Sequence, residues 1–179
     1  MTVNQLKLYI MKQNGSPRLR TNSILGSLFV LSLLFCSSVS YAQSPVNFSG
    51  VWIQDTTKSD DFYKSFDVKY TITQTLQTFT VKQIFSDKSG NEIVTHDYSF
   101  TLDGKVTNQE KEYGIEKNLA QWSADKKTLN TRSTVTYGNE DVGFTETYSL
   151  SGNGLVLTVQ KSDIIPGGLS VKQVFNKKQ

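Results

Sequence analysis

The stretch FTETYSLSGNGLVLTV, residues 144–159, decides the fold. Phe144, Glu146, Tyr148 and Leu150 share one parity. Gly152-Asn153-Gly154 interrupts the alternation, and Leu155, Leu157 and Val159 resume it. A period of two sends alternate side chains to opposite faces of a strand. Gly and Asn supply the positive φ angles of a tight hairpin. Strands joined so closely run antiparallel, because a parallel pair needs a long crossover.

The same pattern extends in both directions. Upstream, Leu129, Thr131, Ser133, Val135 and Tyr137 share a parity, as do Val94, His96, Tyr98, Phe100 and Leu102. Tyr70 and Ile72, then Phe79 and Val81, alternate with polar residues. Downstream, Leu169, Val171, Gln173 and Phe175 close the series. Turn signals separate the runs at Ser89-Gly90-Asn91, Asp103-Gly104, Ala124-Asp125-Lys126-Lys127, Gly138-Asn139 and Pro166-Gly167-Gly168. One boundary is weakly marked: Leu76-Gln77 are poor turn residues, so residues 75–79 read either as a turn or as a bend in one long strand. One short helix is possible, from Ser59 to Ser65. Trp122 precedes Leu129 by the interval that separates Tyr148 from Leu155, which reads as a repeated hairpin geometry. The expectation is an all-β, antiparallel meander closing into a barrel of about eight to ten strands, since closure removes exposed edges. A two-sheet sandwich is the alternative closure.

The first 42 residues read as an export signal. Lys7, Lys12, Arg18 and Arg20 precede an apolar run, Ile24 to Phe35, and small residues lead to Ser40-Tyr41-Ala42. Basic, apolar and small-residue regions in that order make a cleavable signal peptide, with a mature start at Gln43 and a single domain over residues 43–179. The run is shorter than the ~18 apolar residues of a membrane anchor. Cys36 could be acylated in a lipoprotein, but Phe35 stands where a small residue is wanted. The expected location is therefore periplasmic or secreted.

The leader holds four of the 19 basic residues and none of the 16 acidic ones, so the remainder carries a net charge of −1. That balance argues against nucleic acid as a partner, because phosphate binding needs clustered Lys and Arg. Cys36 is the only cysteine, so the mature domain has no disulfide and stands on its core. No thiol nucleophile remains in it, and a single histidine cannot build a multi-histidine metal site. No cofactor, metal or catalytic residue is expected. An enzyme working through carboxylates stays possible but ranks last.

Asn47-Phe48-Ser49-Gly50-Val51-Trp52 resembles the opening strand of calycins: lipocalins, fatty-acid-binding proteins and avidins. The resemblance implies that Gly50 permits close backbone approach and that Trp52 packs across the closed end of a barrel. Tyr98 to Gly104, Gln121 to Leu129 and Thr145 to Leu150 are similar to segments of the uncharacterised lipocalin-like exported proteins of Gram-negative bacteria. The second and third lipocalin motifs have no counterpart, and nothing resembling a C-terminal helix follows the last strand. The likeness therefore implies the shape of the domain more than its ligand.

Polar residues on the apolar parity are the functional signal. Gln83, His96, Ser133, Glu146 and Gln173 each lie two positions from apolar neighbours on separate strands. In a barrel such faces converge, and a mostly apolar pocket with a few convergent polar groups is the usual form of a ligand site. Tyr98, Phe144 and Tyr148 are the candidate apolar lining. The same polar groups could instead satisfy one another in a filled core. Two functions follow: a carrier of a small apolar or amphipathic ligand, or a non-enzymatic envelope interaction or inhibitor protein that works through its surface.

Overall fold

The computed structural model describes residues 44–138 and 140–179. The leader, Cys36, Gln43 and Asn139 lie outside the described residues. Ten strands follow in chain order: β1 (Gly50–Gln54), β2 (Asp67–Gln74), β3 (Thr78–Ser86), β4 (Glu92–Thr101), β5 (Thr107–Lys111), β6 (Gly114–Trp122), β7 (Thr128–Tyr137), β8 (Glu140–Leu150), β9 (Val156–Asp163) and β10 (Ser170–Lys177). They form one sheet in the order β4-β3-β2-β1-β10-β9-β8-β7-β6-β5. All neighbours are antiparallel. The first and last strands pair with each other, so the meander curls round on itself. The seam lies where β4 approaches β6 without a ladder between them. The domain is a nearly closed barrel, not a two-sheet sandwich.

Alternation places Val68, Tyr70 and Ile72 of β2 inside, opposite the inward Phe85, Gln83 and Val81 of β3. One end of the barrel is sealed. Trp52 and Phe48 are fully buried there, and the Trp52 indole Nε1 donates to the Phe48 carbonyl at 2.9 Å. Phe48 stacks on Trp122 and meets Phe79 edge-on, both at 6.0 Å between centroids. The Lys177 ammonium lies 5.2 Å from the centre of the Trp52 ring. Gly50, between Phe48 and Trp52 in the chain, has φ +147°, a backbone conformation that favours glycine.

Three features sharpen or extend the sequence pattern. The possible helix is a single 3-10 turn, Asp61–Tyr63. Of that turn only Tyr63 reaches the core, so little burial rewards a longer helix. Residues 75–77 are a true turn, built by a hydroxyl instead of a glycine: Thr75 Oγ1 accepts from the amides of Gln77 (3.1 Å) and Thr78 (2.9 Å). Such local side-chain bonds let Thr specify turns. Strand β5 is additional, because its TNQEK carries no apolar residue to alternate.

The connection between β1 and β2 is stitched to β10. The Val174 amide donates to Ser59 Oγ (3.0 Å) and the Lys172 amide to Asp60 Oδ2 (2.7 Å). Hydrogen bonds from Lys58 and Thr57 hold the Asp55 carboxyl well below the usual carboxylate range at its root. Tyr63, tilted against Phe85 at 6.4 Å, covers one side of the end opposite Trp52. Among the described residues, no helix is long and apolar enough to cross a membrane.

Candidate functional site

The side of that end not covered by Tyr63 is open. A cleft of about 370 Å³ sits there, across the seam between β4 and β6. His96 and Tyr98 come from β4, Tyr113 from the β5–β6 turn, Glu116 from β6, Ser133 from β7 and Phe144 from β8. The volume lies at the lower end of the ~300–1,000 Å³ typical of small-molecule sites.

Of the five polar candidates, four are buried: Gln83, Ser133, Glu146 and Gln173. His96 is exposed at the mouth, yet it sits directly across from Gln83 in the β3–β4 register and so shares the inward face. The structure sorts the five into three groups. Gln83 Nε2 donates to Glu146 Oε1 at 3.3 Å across the interior, and the Tyr148 hydroxyl donates to the other Glu146 oxygen. Gln173 Oε1 accepts from the Tyr70 hydroxyl at 3.0 Å, while its Nε2 is buried without a partner. Ser133 Oγ donates to Asn118 Oδ1, and Asn118 Nδ2 donates to Glu116 at 2.8 Å. Only His96 and Ser133 of the five line the cleft; Gln83, Glu146 and Gln173 are not among its lining.

Of the apolar candidates, Tyr98 and Phe144 line the cleft and meet edge-on at 5.4 Å across the interior. Tyr148 is fully buried, 5.1 Å from Phe79, and belongs to the sealed half.

Burying Glu146 at 1% exposure costs free energy unless it is compensated. Besides its two donors, Lys161 lies 3.9 Å away on β9, directly opposite in register. The same ammonium stands 3.8 Å from the centre of the Phe144 ring. Lys161 continues the parity of Leu157 and Val159, so the sequence held a signal for this partner. Glu116, Asn118 and Tyr113 lacked one, because their hairpin carries few apolar residues to mark the inward face.

Burial pushes the Tyr70 and Tyr148 hydroxyls well above their ordinary pKa, and the negative charge of Glu146 adds to it. Tyr98 is raised for the same two reasons, with Glu116 contributing. The Tyr113 hydroxyl is pushed up to about 12 by burial and by its hydrogen bond to Glu116.

The His96 imidazole is lowered from 6.5, first by partial loss of water and then by the positive charge of Lys161; Glu116 opposes the shift. The ring packs beside Phe85 at 6.0 Å and Tyr98 at 6.1 Å. Its folded pKa lies below the unfolded value, so below pH about 6.5 the unfolded chain binds the proton more readily. Stability therefore falls as pH drops through 6.5, and the loss is complete below the lowered folded value. Urea unfolding at neutral and mildly acidic pH should show a smaller acid loss in His96→Gln than in the parent. An equal loss in both would assign the pH dependence to other groups.

No protein-family model and no curated protein sequence matches this chain. Solved structures do resemble it. Human cRBP IV superposes with a TM-score of 0.52 at 18% identity, over 75% of this chain and 100% of that one. The REP1-NXSQ fatty acid transporter gives 0.51 at 12% identity, over 73% and 96%. A fatty acid binding protein from Schistosoma mansoni, in complex with arachidonic acid, gives 0.51 at 9% identity, over 74% and 96%. At these identities the likeness shows a shared antiparallel barrel fold and nothing finer.

Proposed function

We propose that this protein is an exported carrier that holds one small apolar or amphipathic molecule in the mouth of its barrel. The observation that carries the reading is the cleft across the seam. It joins aromatic walls, Tyr98 and Phe144, to buried polar groups, Ser133 and Glu116. Tyr113 and Tyr137 stand exposed at its rim and add aromatic surface around the concave opening. Two of the similar structures are a fatty acid transporter and a fatty acid binding protein, which supports cargo of apolar character. The basic, apolar and small-residue order of residues 1–42 supports export to the periplasm or beyond.

The sealed half of the interior favours the second reading, a surface-acting protein with a filled core. Tyr70, Gln83, Glu146 and Tyr148 are all at 1% exposure or less; Gln83 and Tyr148 bond Glu146, and Tyr70 bonds Gln173. Native mass spectrometry of the purified protein, followed by titration with a neutral long-chain alcohol, separates the two. A carrier shows a co-purifying molecule, or saturable binding of one alcohol per chain that is lost when Tyr98 and Phe144 are both changed to Ala. A clean mass with no saturable binding of any amphiphile would establish the filled-core reading instead.

A further inference from the structure

The cleft has an electrical sign. Glu116 is 4% exposed and faces it, accepting from the Tyr113 hydroxyl at 2.8 Å and from Asn118 Nδ2 at 2.8 Å. A carboxylate offers about four acceptor positions, so two remain free for a donor arriving from the cleft. No Lys or Arg is among the side chains lining the cleft. The ammonium groups on surrounding strands are already engaged. Lys161 is shared between Glu146 and the Phe144 ring, Lys111 donates to the Asp97 carbonyl at 3.1 Å, and Lys117 bonds Thr136 at 3.0 Å and lies 3.7 Å from Asp141. His96, its pKa lowered, adds no positive charge at neutral pH. Of the two inward carboxylates, Glu146 has the inward ammonium of Lys161 beside it, while Glu116 borders the cleft with only neutral hydrogen-bond donors.

The walls suit the same sign. Tyr98, Tyr113, Tyr137 and Phe144 turn aromatic rings toward the cleft, and the negative face of an aromatic ring attracts cations. Lys161 over Phe144 is an example of that attraction within the protein itself. A carboxylate-headed ligand would meet the Glu116 carboxylate, and the nearest inward ammonium, Lys161, already lies between Glu146 and the Phe144 ring. A cationic head would replace hydration with a carboxylate and aromatic faces.

We infer that the ligand is an amphiphile with a protonated amine head and an apolar body, seated with its ammonium on Glu116 among Tyr98, Tyr113 and Phe144. The inference rests on the carrier reading above and sets the chemical class of its cargo. It runs against the fatty acid cargo of two structurally similar proteins.

The test is calorimetric titration of the purified protein, at neutral pH and low salt, with three probes of one chain length: decylamine, decan-1-ol and decanoate, each kept below its aggregation threshold. The expected ranking is amine, then alcohol, then carboxylate, with amine over carboxylate by at least about tenfold, as a charge-assisted hydrogen bond warrants. Glu116→Gln keeps the shape of the side chain and should bring the amine down toward the alcohol. The ranking in the parent protein is a test by itself, whether or not that variant folds. Carboxylate binding equal to or tighter than amine would overturn the inference and leave the carrier reading standing. Binding of none of the three would remove the carrier reading, and the inference with it.

Discussion

Trp52→Ala should lower the free energy of unfolding by about 3–5 kcal/mol, the usual cost of deleting a large core aromatic. The indole has no exposure, donates to the Phe48 carbonyl and lies under Lys177. Its loss opens a hole at the sealed end, where Phe48 is already packed against both Phe79 of β3 and Trp122 of β6. Such a hole relaxes only partly. Urea unfolding followed by circular dichroism reads the change. Unchanged melting would mean that the plug, and with it the reading of this end as the anchor of the barrel, is wrong. The cleft lies at the opposite end, so any ligand affinity that survives at low temperature should be close to that of the parent.

Gly143→Ala should be the second severe change, costing about 3 kcal/mol, the upper range for overpacking a close contact. A Cβ at position 143 would stand 2.0 Å from the Ser133 carbonyl oxygen and 2.8 Å from the Thr134 Cα. These are backbone atoms of the paired strand β7, so no side-chain rotation relieves the collision; the β7–β8 ladder itself must part. The backbone at Gly143 has φ +156°, which side chains rarely adopt. Gly152→Ala is the control. It follows the same strand, and a Cβ there meets nothing within 4 Å, so its effect should be small. Equal stability of the two variants, measured by thermal melting, would reject the close approach of β7 and β8. Because Ser133, Thr134 and Gly143 all border the cleft, the alanine variant should also weaken ligand binding in whatever fraction remains folded.

The contrast between these two glycines shows where a sequence is silent. Gly143 lies inside an alternating run and carries no turn signal, while Gly152 stands in an obvious Gly-Asn-Gly turn. The dispensable glycine is the one that punctuates. The indispensable one is identified only by what faces it across the ladder.

The amino-acid sequence by itself determined the class of the fold and the inward face of most strands. Parity is a local property: Phe79, Val81 and Gln83 must point one way whatever surrounds them, and burial then decides which way is inside. It could not show β5, where TNQEK has no apolar side chain for burial to select, nor the turn that the Thr75 hydroxyl builds. Nor could it divide the inward polar residues between a sealed core and an open mouth. That division depends on the seam. β4 has a ladder to β3 alone and none to β6, so β6, β7 and β8 leave a gap in front of His96 and Tyr98, while the aromatic plug around Trp52 fills the far end. Glu146 and Glu116 illustrate the consequence. Both are inward carboxylates, but Glu146 meets Gln83, Tyr148 and Lys161 across the barrel, whereas Glu116 is left facing the cleft. Which carboxylate is enclosed among partners across the barrel and which borders the cleft is set by the distances between strands far apart in the chain, and those distances exist only once the barrel has closed.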